Sequence, residues 1–316
     1  ATAVALALFA WAAARGRRWR WAAAAVYLTL LALLIWHPFP PRAARGELEL
    51  TAIDVGQGES LLLVLPDGRF ALIDTGGLPE HGRKRAEPFD VGEEVVAPYL
   101  WSRGIRRLDL LVLTHLHEDH ASGAPSVIRN FRPRELWISF AGETPLWREI
   151  QEAASSAGVR IRTLRQGDPC NLGPVGCRVL APLAEQSWSG RPQNNDSLVL
   201  ELRYGRHTFL LTGDIEARQE AELALAGLLR PAHVLKVPHH GSKRSATEWL
   251  LDASRPAVAV ISAGPDNAFG LPNAETLDRL RQKRAMILRT DLRGPVTVRS
   301  DGRYLSTDSP RAALWP

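Results

Sequence analysis

Short apolar runs alternate with amphipathic stretches over most of this chain. Residues 47–53 alternate apolar and polar positions, and the apolar runs at 108–113 and 257–262 are typical of buried strands. Between such runs, residues 145–157 and 274–284 have the apolar spacing of helices, and residues 286–299 are predicted as a terminal β-segment. Two strand-rich halves edged by helices predict an α/β (α+β) fold with two facing sheets covered by helices, an αββα sandwich.

The first 45 residues have a different pattern. Nearly uninterrupted apolar runs at residues 1–14 and 21–36 flank an arginine-rich loop. Each run is slightly shorter than the ~20 residues that a bilayer requires, whereas a signal peptide would have one run and a cleavage site. We therefore predict that residues 1–45 are the C-terminal end of a membrane region, with two transmembrane helical segments and a linker, and that residues 46–316 form a second domain. A hydrophobic helical hairpin packed in a soluble core is the alternative.

The positive charge of the chain is concentrated in this N-terminal segment. The formal net charge is +5, but residues 1–46 hold six of the 39 basic residues and no acidic residue, which leaves 33 basic against 34 acidic residues elsewhere. Any nucleic-acid surface on the second domain must therefore be local. The positive-inside rule places the arginine-rich loop in the cytoplasm, so we predict a multi-pass protein of the cell membrane with an extracytoplasmic second domain. Cys170 and Cys177 share one loop, where a disulfide and two free thiols are both compatible with the sequence.

Histidines and carboxylates are concentrated directly after the predicted strand 108–113. Residues 114–120 read THLHEDH, in a chain that contains nine histidines in all. His115 and His117 are two positions apart, so in an extended chain both face the same way and can bind one metal ion. Asp119 and His120 follow where the chain must turn, and could serve a second ion. The alternative is a polar loop that is histidine-rich by chance.

Other candidate ligands follow other predicted strands. Asp74 ends one strand, Asp214 ends another, and His239 and His240 follow a third. Sites in α/β proteins usually lie at the carboxyl ends of strands, and Zn²⁺ or Mn²⁺ prefers carboxylate and imidazole ligands. Asp214 could bridge two ions. Each residue alone could be a helix cap or a turn residue, but together they predict one metal site.

These motifs resemble those of a known superfamily. A His-x-His-x-Asp-His motif after a strand, an earlier strand-end Asp and a later Gly-Asp resemble the metallo-β-lactamase superfamily. More narrowly, DVGQGES at 54–60, NNDSLVL at 194–200, LTGD at 211–214 and HHGS at 239–242 resemble the C-terminal domain of ComEC-type DNA internalisation competence proteins, which follows a membrane-embedded region. The resemblance covers about residues 22–303. It implies a metallo-β-lactamase-like αββα sandwich for residues 46–316.

The resemblance also implies an activity and a set of roles. The implied activity is that of a metal-dependent hydrolase, a deoxyribonuclease that acts on one strand of incoming DNA during natural transformation. Two divalent ions, Zn or Mn, would neutralise charge on the phosphate. The implied metal ligands are His115 and His117 for the first ion, Asp119 and His120 for the second, Asp214 between them, and His240 completing one shell.

The remaining candidates are assigned to catalysis, support and substrate binding. Asp119 would also orient the attacking water, and His239 would orient the substrate or donate a proton. Asp54 and Asp74 would hold histidine N–H groups. Asp54 is counted as a catalytic candidate as well, with a turn residue as its alternative. The segment that follows the histidine pair could bind phosphate through backbone N–H groups and cations, or form a solvated basic face; its residues are Ser242, Lys243 and Arg244.

Three positions depart from the family pattern. Leu271 and Asn273 stand where the family usually has histidines, and Asn195, a further supporting candidate, stands where many members have a mid-chain histidine. Occupancy of the second ion therefore stays open, as do a changed substrate and reduced activity. Three hypotheses follow: a nuclease of a DNA-uptake channel, a metallohydrolase for another extracytoplasmic substrate, and a non-catalytic DNA-guiding domain. The expected partners are single-stranded DNA, the membrane, an upstream channel region of the same protein and other DNA-uptake components.

Overall fold

The chain divides into two compact units, Ala1–Pro41 and Arg42–Pro316. The computed structural model describes residues 16–36, 41, 44–77, 89–140, 142–186 and 190–308. In the first unit, helix α1 spans Arg17–Trp36, and the predicted segment at 1–14 lies outside the described residues. Among the helices that the structure describes, none has both the length and the apolar character that crossing a bilayer requires. The two transmembrane segments are not confirmed, and the boundary after residue 45 stays a prediction.

Two β-sheets form the centre of the second unit. Within the described residues, one sheet contains β1 (Leu48–Ala52), β2 (Leu61–Val64), β3 (Phe70–Ile73), β4 (Leu110–Leu113), β5 (Glu135–Ile138), β6 (Arg160–Thr163), β13 (Val296–Ser300) and β14 (Leu305–Thr307), in the order β14-β13-β1-β2-β3-β4-β5-β6. The other contains β7 (Gly176–Ala181), β8 (Val199–Tyr204), β9 (His207–Leu211), β10 (Val234–Lys236), β11 (Val258–Ile261) and β12 (Met286–Arg289), in the order β12-β11-β10-β9-β8-β7.

Both sheets change from antiparallel to parallel pairing along their width. In the first sheet, β1, β2 and β3 are antiparallel, and β3 to β6 are parallel. In the second sheet, β7, β8 and β9 are antiparallel, and β9 to β12 are parallel. Parallel neighbours end at the same edge of a sheet, so the loops after β3 and β4 are adjacent, as are the loops after β9, β10 and β11. These two edges carry the predicted metal ligands.

Alternate side chains of the strands belong to different apolar cores. Leu61 and Leu63 of β2 pack between the sheets with Phe209 of β9, whereas Leu62 packs on the outer face of the first sheet. Leu210 packs on the outer face of the second sheet. Because both faces of the central strands are covered, these strands are apolar throughout and lack the alternation of a half-exposed strand. The predicted mixed α/β fold with two sheets is therefore confirmed.

Helices cover the two outer faces. Apolar residues of α4 and α5 join the core outside the first sheet, and those of α6, α7 and α8 join the core outside the second. The bounds of the helices in the second unit are: a π-helical turn at Gly92–Val96, α2 at Ala97–Ser102, α3 at Glu118–Ala121, α4 at Ala124–Phe131, α5 at Pro145–Ala157, α6 at Ala217–Leu225, α7 at Glu248–Ser254, α8 at Ala274–Gln282 and α9 at Thr290–Arg293, with short 3₁₀ turns at Asn194–Asp196 and Pro238–Gly241.

The C-terminal part of the chain differs from its prediction. The single β-segment predicted at 286–299 is two strands in different sheets, because β12 extends the second sheet and β13 pairs with β1 of the first. Helix α9 separates them, and it contains the polar residues Asp291 and Arg293. Strand β7 was not predicted, since its first half is only partly buried. The structure contains a Cys170–Cys177 disulfide, one of the two states that the sequence left open.

Candidate metal centre

His120 lies at the centre of a buried cluster formed by loops from both sheets. Its side chain is fully buried, with Nδ1 2.7 Å from Asp74 Oδ2 and Nε2 3.2 Å from Asp214 Oδ2. Since a carboxylate only accepts hydrogen bonds, a neutral His120 carries its proton on Nδ1 and presents the lone pair of Nε2 to Asp214. The ring is therefore oriented from the first sheet and faces a carboxylate of the second.

Asp74 holds His120 and the start of its loop together. Its carboxylate accepts hydrogen bonds from Thr114 N and Thr114 Oγ1, each at 2.7 Å, and from His120 Nδ1. The residue is fully buried, and its backbone is in the left-handed region at φ 58°. With three donors on two oxygens, the carboxylate fixes both the strand end and the imidazole. The contact with a histidine N–H is the one that the sequence predicted, and its support of a metal ion stays a prediction.

Asp74→Asn is expected to weaken metal binding by about 10- to 100-fold, the usual effect of losing a carboxylate that orients a ligand histidine. An amide must turn its NH₂ group toward at least one of the three donors, so one hydrogen bond is lost. A competition titration with a chromophoric chelator measures the affinity. Asp109→Asn is the matched control, because Asp109 accepts from Phe70 N at the opposite end of the same strands. Equal affinity for wild type and Asp74→Asn would contradict the expectation.

His240 reaches the same cluster from the second sheet. Its Nδ1 donates to Ser262 O at 2.9 Å, so Nε2 is the free nitrogen, 3.4 Å from Asp119 Oδ2 and 3.5 Å from Asp214 Oδ2. His239 and His240 both have left-handed backbone conformations, with φ of 50° and 54°, which are uncommon outside glycine. Two such residues in succession turn the chain sharply after β10 and direct His240 inward.

Four residues can hold one metal ion together. Asp119, His120, Asp214 and His240 each offer a ligand atom within 4.8 Å of the others. Within the described part of the chain, the buried atoms His120 Nε2, His240 Nε2 and Asp214 Oδ1 lack a hydrogen bond of good geometry. Buried polar atoms are rarely left without partners, and two imidazoles with two carboxylates are a suitable ligand set for Zn²⁺ or Mn²⁺. The residues present therefore fit a divalent cation.

The electrostatics of the cluster favour positive charge at His120. Burial lowers the pKa of His120, but the carboxylates of Asp214, Asp74 and Asp119 outweigh burial and hold that pKa well above its ordinary value. Burial likewise raises the pKa of Asp214, but His120 and His240 lower it well below the usual range. Asp214 is thus ionised between two imidazoles, an arrangement that a bound cation stabilises.

His115 and His117 lie beside this cluster as a facing pair. His115 Nε2 is 3.0 Å from His117 Nδ1, and the His115 and His120 ring centroids are 4.3 Å apart. His117 Nε2 lies 3.1 Å from Pro192 O, which only accepts, so a neutral His117 has its lone pair on Nδ1, toward His115. Burial and the neighbouring His120 lower the pKa of His115 well below its ordinary value, which keeps this ring neutral. Binding of the predicted first ion by this pair stays a prediction, because the four-residue group that can hold a metal ion does not include His115 or His117.

His239 lies at the rim with partners that the sequence did not predict. Its Nδ1 is 3.3 Å from Glu216 Oε1, and its Nε2 is 4.0 Å from Asp214 Oδ2. Asn194 Nδ2 donates to Glu216 Oε1 at 3.1 Å. Asn195, predicted as a supporting residue, accepts from Glu216 N at 2.8 Å and so holds the backbone of the residue that contacts His239. The NNDS motif thus supports the rim and contributes no imidazole.

The other departures from the family pattern lie outside the four-residue cluster. Asn273 Oδ1 caps helix α8 by accepting from Glu275 N at 3.0 Å, and Asn273 N donates to Gly241 O at 2.9 Å. Leu271 is partly buried, and both its backbone N and its O bond to the side chain of Asn267. These residues shape the loop beside His240 and supply no ligand.

The structure separates the remaining candidates from the cluster. Asp54 Oδ1 accepts from Gly56 N at 3.2 Å, a turn contact and not a histidine contact, so its catalytic role stays a prediction. Lys243 forms an exposed ion pair with Glu275 at 2.7 Å, and Ser242 Oγ accepts from Arg244 N at 3.3 Å. Within the described residues, the guanidinium of Arg244 has no ion pair. Arg244 is therefore the cation of this segment that is available to a ligand.

Glycines allow the loops of the centre to approach closely. A Cβ on Gly58 would lie 2.6 Å from Asp119 O, and one on Gly77 would lie 1.9 Å from Glu118 O. The adjacent backbone bonds, from Glu59 N to Asp119 O at 3.0 Å and from Thr75 N to His120 O at 2.7 Å, need this contact. Glycine is therefore required at Gly58 of the DVGQG motif and at Gly77 after Asp74, because a side chain at either position would collide with the loop that carries the ligands.

The fold and the site together define a class of protein. Residues 53–185 match the family described as the metallo-beta-lactamase superfamily. The match includes the loop with His115 to His120 and ends before Asp214 and His240. The chain carries a domain of this superfamily, with its mixed α/β fold of two sheets, the fold of metal-dependent hydrolases.

Three curated relatives specify the kind of protein further. The chain is 36% identical over 272 residues to ComE operon protein 3 of Bacillus subtilis (strain 168). The aligned region covers 84% of this chain and 34% of that protein. It is 32% identical over 269 residues to Recombination protein 2 of Haemophilus influenzae (strain ATCC 51907 / DSM 11121 / KW20 / Rd), covering 85% of this chain and 31% of that protein. It is 30% identical over 263 residues to Competence protein ComA of Neisseria gonorrhoeae, and the aligned region covers 81% of this chain and 33% of that protein.

These relatives are competence proteins of the ComEC type, as the resemblance in the sequence predicted. The chain spans about a third of the length of each of them.

Proposed function

We propose that this chain is a metal-dependent phosphodiester hydrolase that cuts DNA during its uptake into the cell. The observation that carries the proposal is the buried cluster of Asp119, His120, Asp214 and His240, whose free ligand atoms converge at one point. The similarity to competence and recombination proteins supports DNA as the substrate. A bound divalent ion would supply Lewis acidity and charge neutralisation at a phosphate.

The exposure of the ligands supports a division of roles among them. The Asp119 side chain is 21% exposed, whereas the side chains of His120, Asp214 and His240 are at most 2% exposed. Asp119 can therefore contact a water molecule at the surface of the cluster, orient it and accept its proton. His239 is 25% exposed and held by Glu216, so it can orient a phosphate oxygen or donate a proton to the leaving group. Asp214, His120 and His240 would hold this ion, and His115 and His117 would be available to the other ion, which the sequence analysis counted as the first.

Arg244→Ala is expected to lower the affinity for single-stranded DNA by about 3- to 10-fold and to reduce the slope of log affinity against log salt by about 1, as for one lost phosphate contact. Arg244 is exposed, lies close after the histidine pair and has no ion pair within the described residues. Fluorescence anisotropy over a salt series measures both quantities. The matched control is Arg230→Ala, near the amino end of β10 and away from the centre. A salt slope that is unchanged in Arg244→Ala would contradict this contact.

One experiment separates the three functional hypotheses. The 316-residue chain is incubated with Mn²⁺ or Zn²⁺ and end-labelled single-stranded DNA, and in parallel with a small phosphate diester and a lactam. We expect cleavage of DNA that is lost in Asp119→Ala. DNA binding without cleavage would favour a guiding domain, and turnover of the small substrates alone would favour another metallohydrolase.

We also propose that the chain is tethered to a membrane through its N-terminal segment, with the hydrolase domain outside the cytoplasm. Trp21, Leu28 and Leu30 of α1 are 68%, 61% and 58% exposed, an apolar surface that a lipid environment would cover. An upstream channel region and other DNA-uptake components are the proposed partners. The orientation can be tested with a reporter that works only in the cytoplasm, fused after residue 45. Activity of this reporter would contradict the proposed orientation.

A further inference from the structure

Glu59 and Lys236 form an ion pair that is fully buried beside the metal centre. Their side chains are 1% and 0% exposed, and Lys236 Nζ contacts Glu59 Oε2. Glu59 lies two residues before β2 of the first sheet, and Lys236 is the last residue of β10 in the second sheet. The pair therefore joins the two sheets by one charged contact.

Stability alone does not account for this pair. Moving two charges out of water is costly, and an apolar pair of similar volume often gives a fold that is equally stable or more stable. The pKa of Glu59 is raised, because burial, Asp74 and Asp214 raise it by more than Lys236 and His120 lower it. Lys236, which lies between the apolar residues Leu235 and Val237, thus places its charge against this buried carboxylate.

The same two residues also form hydrogen bonds with the segments that carry the ligands and with the segment after Asp74. Glu59 N donates to Asp119 O at 3.0 Å, and Gly76 N donates to Glu59 O at 2.7 Å. On the other sheet, Lys236 O accepts from Thr212 Oγ1 at 2.6 Å, two residues before Asp214. Lys236 Nζ also donates to Val237 O at 3.0 Å, three residues before His240. Glu59 is thus attached to the loop of Asp119 and to the segment after Asp74, and Lys236 is attached to the segments that lead to Asp214 and to His240.

We propose that the Glu59–Lys236 pair is a positioning pair that sets the distance between the two halves of the metal centre. Asp119 and His120 come from the first half, and Asp214 and His240 from the second. An ion pair has one favourable separation, whereas apolar side chains can slide over one another, so the charged contact specifies how the halves meet. The inference rests on the proposed metal centre, and neither residue of the pair is among its ligands.

The test uses Glu59→Gln/Lys236→Met in the 316-residue chain, which removes both charges and approximately keeps the volume. Lys236→Met alone would leave an unpaired carboxylate buried, so it is expected to melt at a lower temperature than the double variant. We expect the double variant to melt close to wild type but to bind Co²⁺ about 10- to 100-fold more weakly, the range found when support of metal ligands is lost. The visible absorption of bound Co²⁺ is expected to change in position and intensity, because it reports ligand geometry.

Hydrogen exchange gives a readout that does not depend on metal. The amides of Glu59 and Thr75, which donate to Asp119 O and His120 O, are expected to exchange faster in the double variant. Glu49→Gln/Arg103→Met is the matched control, because that pair, at 2.8 Å, is also largely buried but joins β1 to the end of α2. The control is expected to leave Co²⁺ affinity and spectrum unchanged.

The outcomes distinguish this inference from the proposed function. A double variant with wild-type Co²⁺ affinity and spectrum would overturn the positioning role and leave the metal centre intact. A double variant that does not fold would overturn it too, since the pair would then be needed for folding itself. A wild-type chain that binds no Co²⁺, Zn²⁺ or Mn²⁺ would overturn the proposed metal centre and the inference with it.

Discussion

Asp214→Asn is expected to lower the rate of phosphodiester hydrolysis on the order of 1,000-fold, beyond the 10- to 100-fold typical of residues that only support a ligand. Asp214 Oδ2 lies 3.2 Å from His120 Nε2 and 3.5 Å from His240 Nε2, so it is the carboxylate that both buried imidazoles share. An amide has no negative charge to hold a cation between these rings, and its NH₂ group would face a ring nitrogen. Initial rates on single-stranded DNA and on a small phosphate diester with saturating Mn²⁺ measure the effect.

The control for this prediction is a carboxylate on a helix that covers the same sheet. Asp252 lies on α7 and forms an ion pair with Lys283 at the surface, so Asp252→Asn is expected to keep the wild-type rate. A rate for Asp214→Asn within tenfold of wild type would contradict its assignment as a ligand. A matched loss on DNA and on the small substrate is expected, because Asp214 acts on the reacting phosphate and not on the rest of the nucleic acid.

Divalent metal is expected to raise the free energy of unfolding by about 4 kcal/mol when its concentration is about 1,000 times its dissociation constant. The unfolded chain does not bring Asp119, His120, Asp214 and His240 together, since the first pair and the second pair come from distant parts of the sequence. Binding energy therefore adds to folding energy. Urea denaturation followed by circular dichroism, with Mn²⁺ or Zn²⁺ and then with EDTA, measures the difference.

Two histidine variants test whether this stabilisation comes from the proposed centre. His240→Ala is expected to lose most of the metal-dependent increase in the free energy of unfolding. His233→Ala changes a histidine just before β10, which accepts a hydrogen bond from Thr208 N at 3.2 Å. His233→Ala is expected to keep the metal-dependent increase in the free energy of unfolding, even if the substitution changes the stability of the metal-free protein. An equal increase in both variants would place the bound ion elsewhere.

Local signals in the sequence determined several parts of the fold. Helix α5 was predicted with the bounds that the structure has, because Thr144 caps it by accepting from Trp147 N, Pro145 begins it and Gly158 ends it in a left-handed conformation. The strands before Asp74, His115, Asp214 and His239 were also predictable, since each is a short apolar run followed by polar residues. These features depend on neighbours a few positions away, which is the range over which periodicity is informative.

The candidate ligands were likewise visible as residue types at strand ends. Three histidines in residues 114–120 and the Gly-Asp and His-His motifs indicated metal binding before any contact was known. The sequence did not indicate that His240 would face Asp119, 121 positions earlier, or that Asp74 would hold His120. Asn273 stands where the family usually has a histidine, and the sequence did not indicate that its side chain would cap α8. Spacing along the chain specifies which face a residue occupies, but not which residue of another segment faces it.

By itself, then, the sequence determined the kinds of secondary structure, the approximate limits of the strands and the chemical types of the ligands. Only the tertiary structure decided which ligand atoms converge, that β12 and β13 belong to different sheets, and that Lys236 is buried against Glu59. The reason is physical. A buried charge is tolerated only where an opposite charge meets it, and that partner comes from the other sheet, 177 positions away along the chain, where no local pattern can specify it.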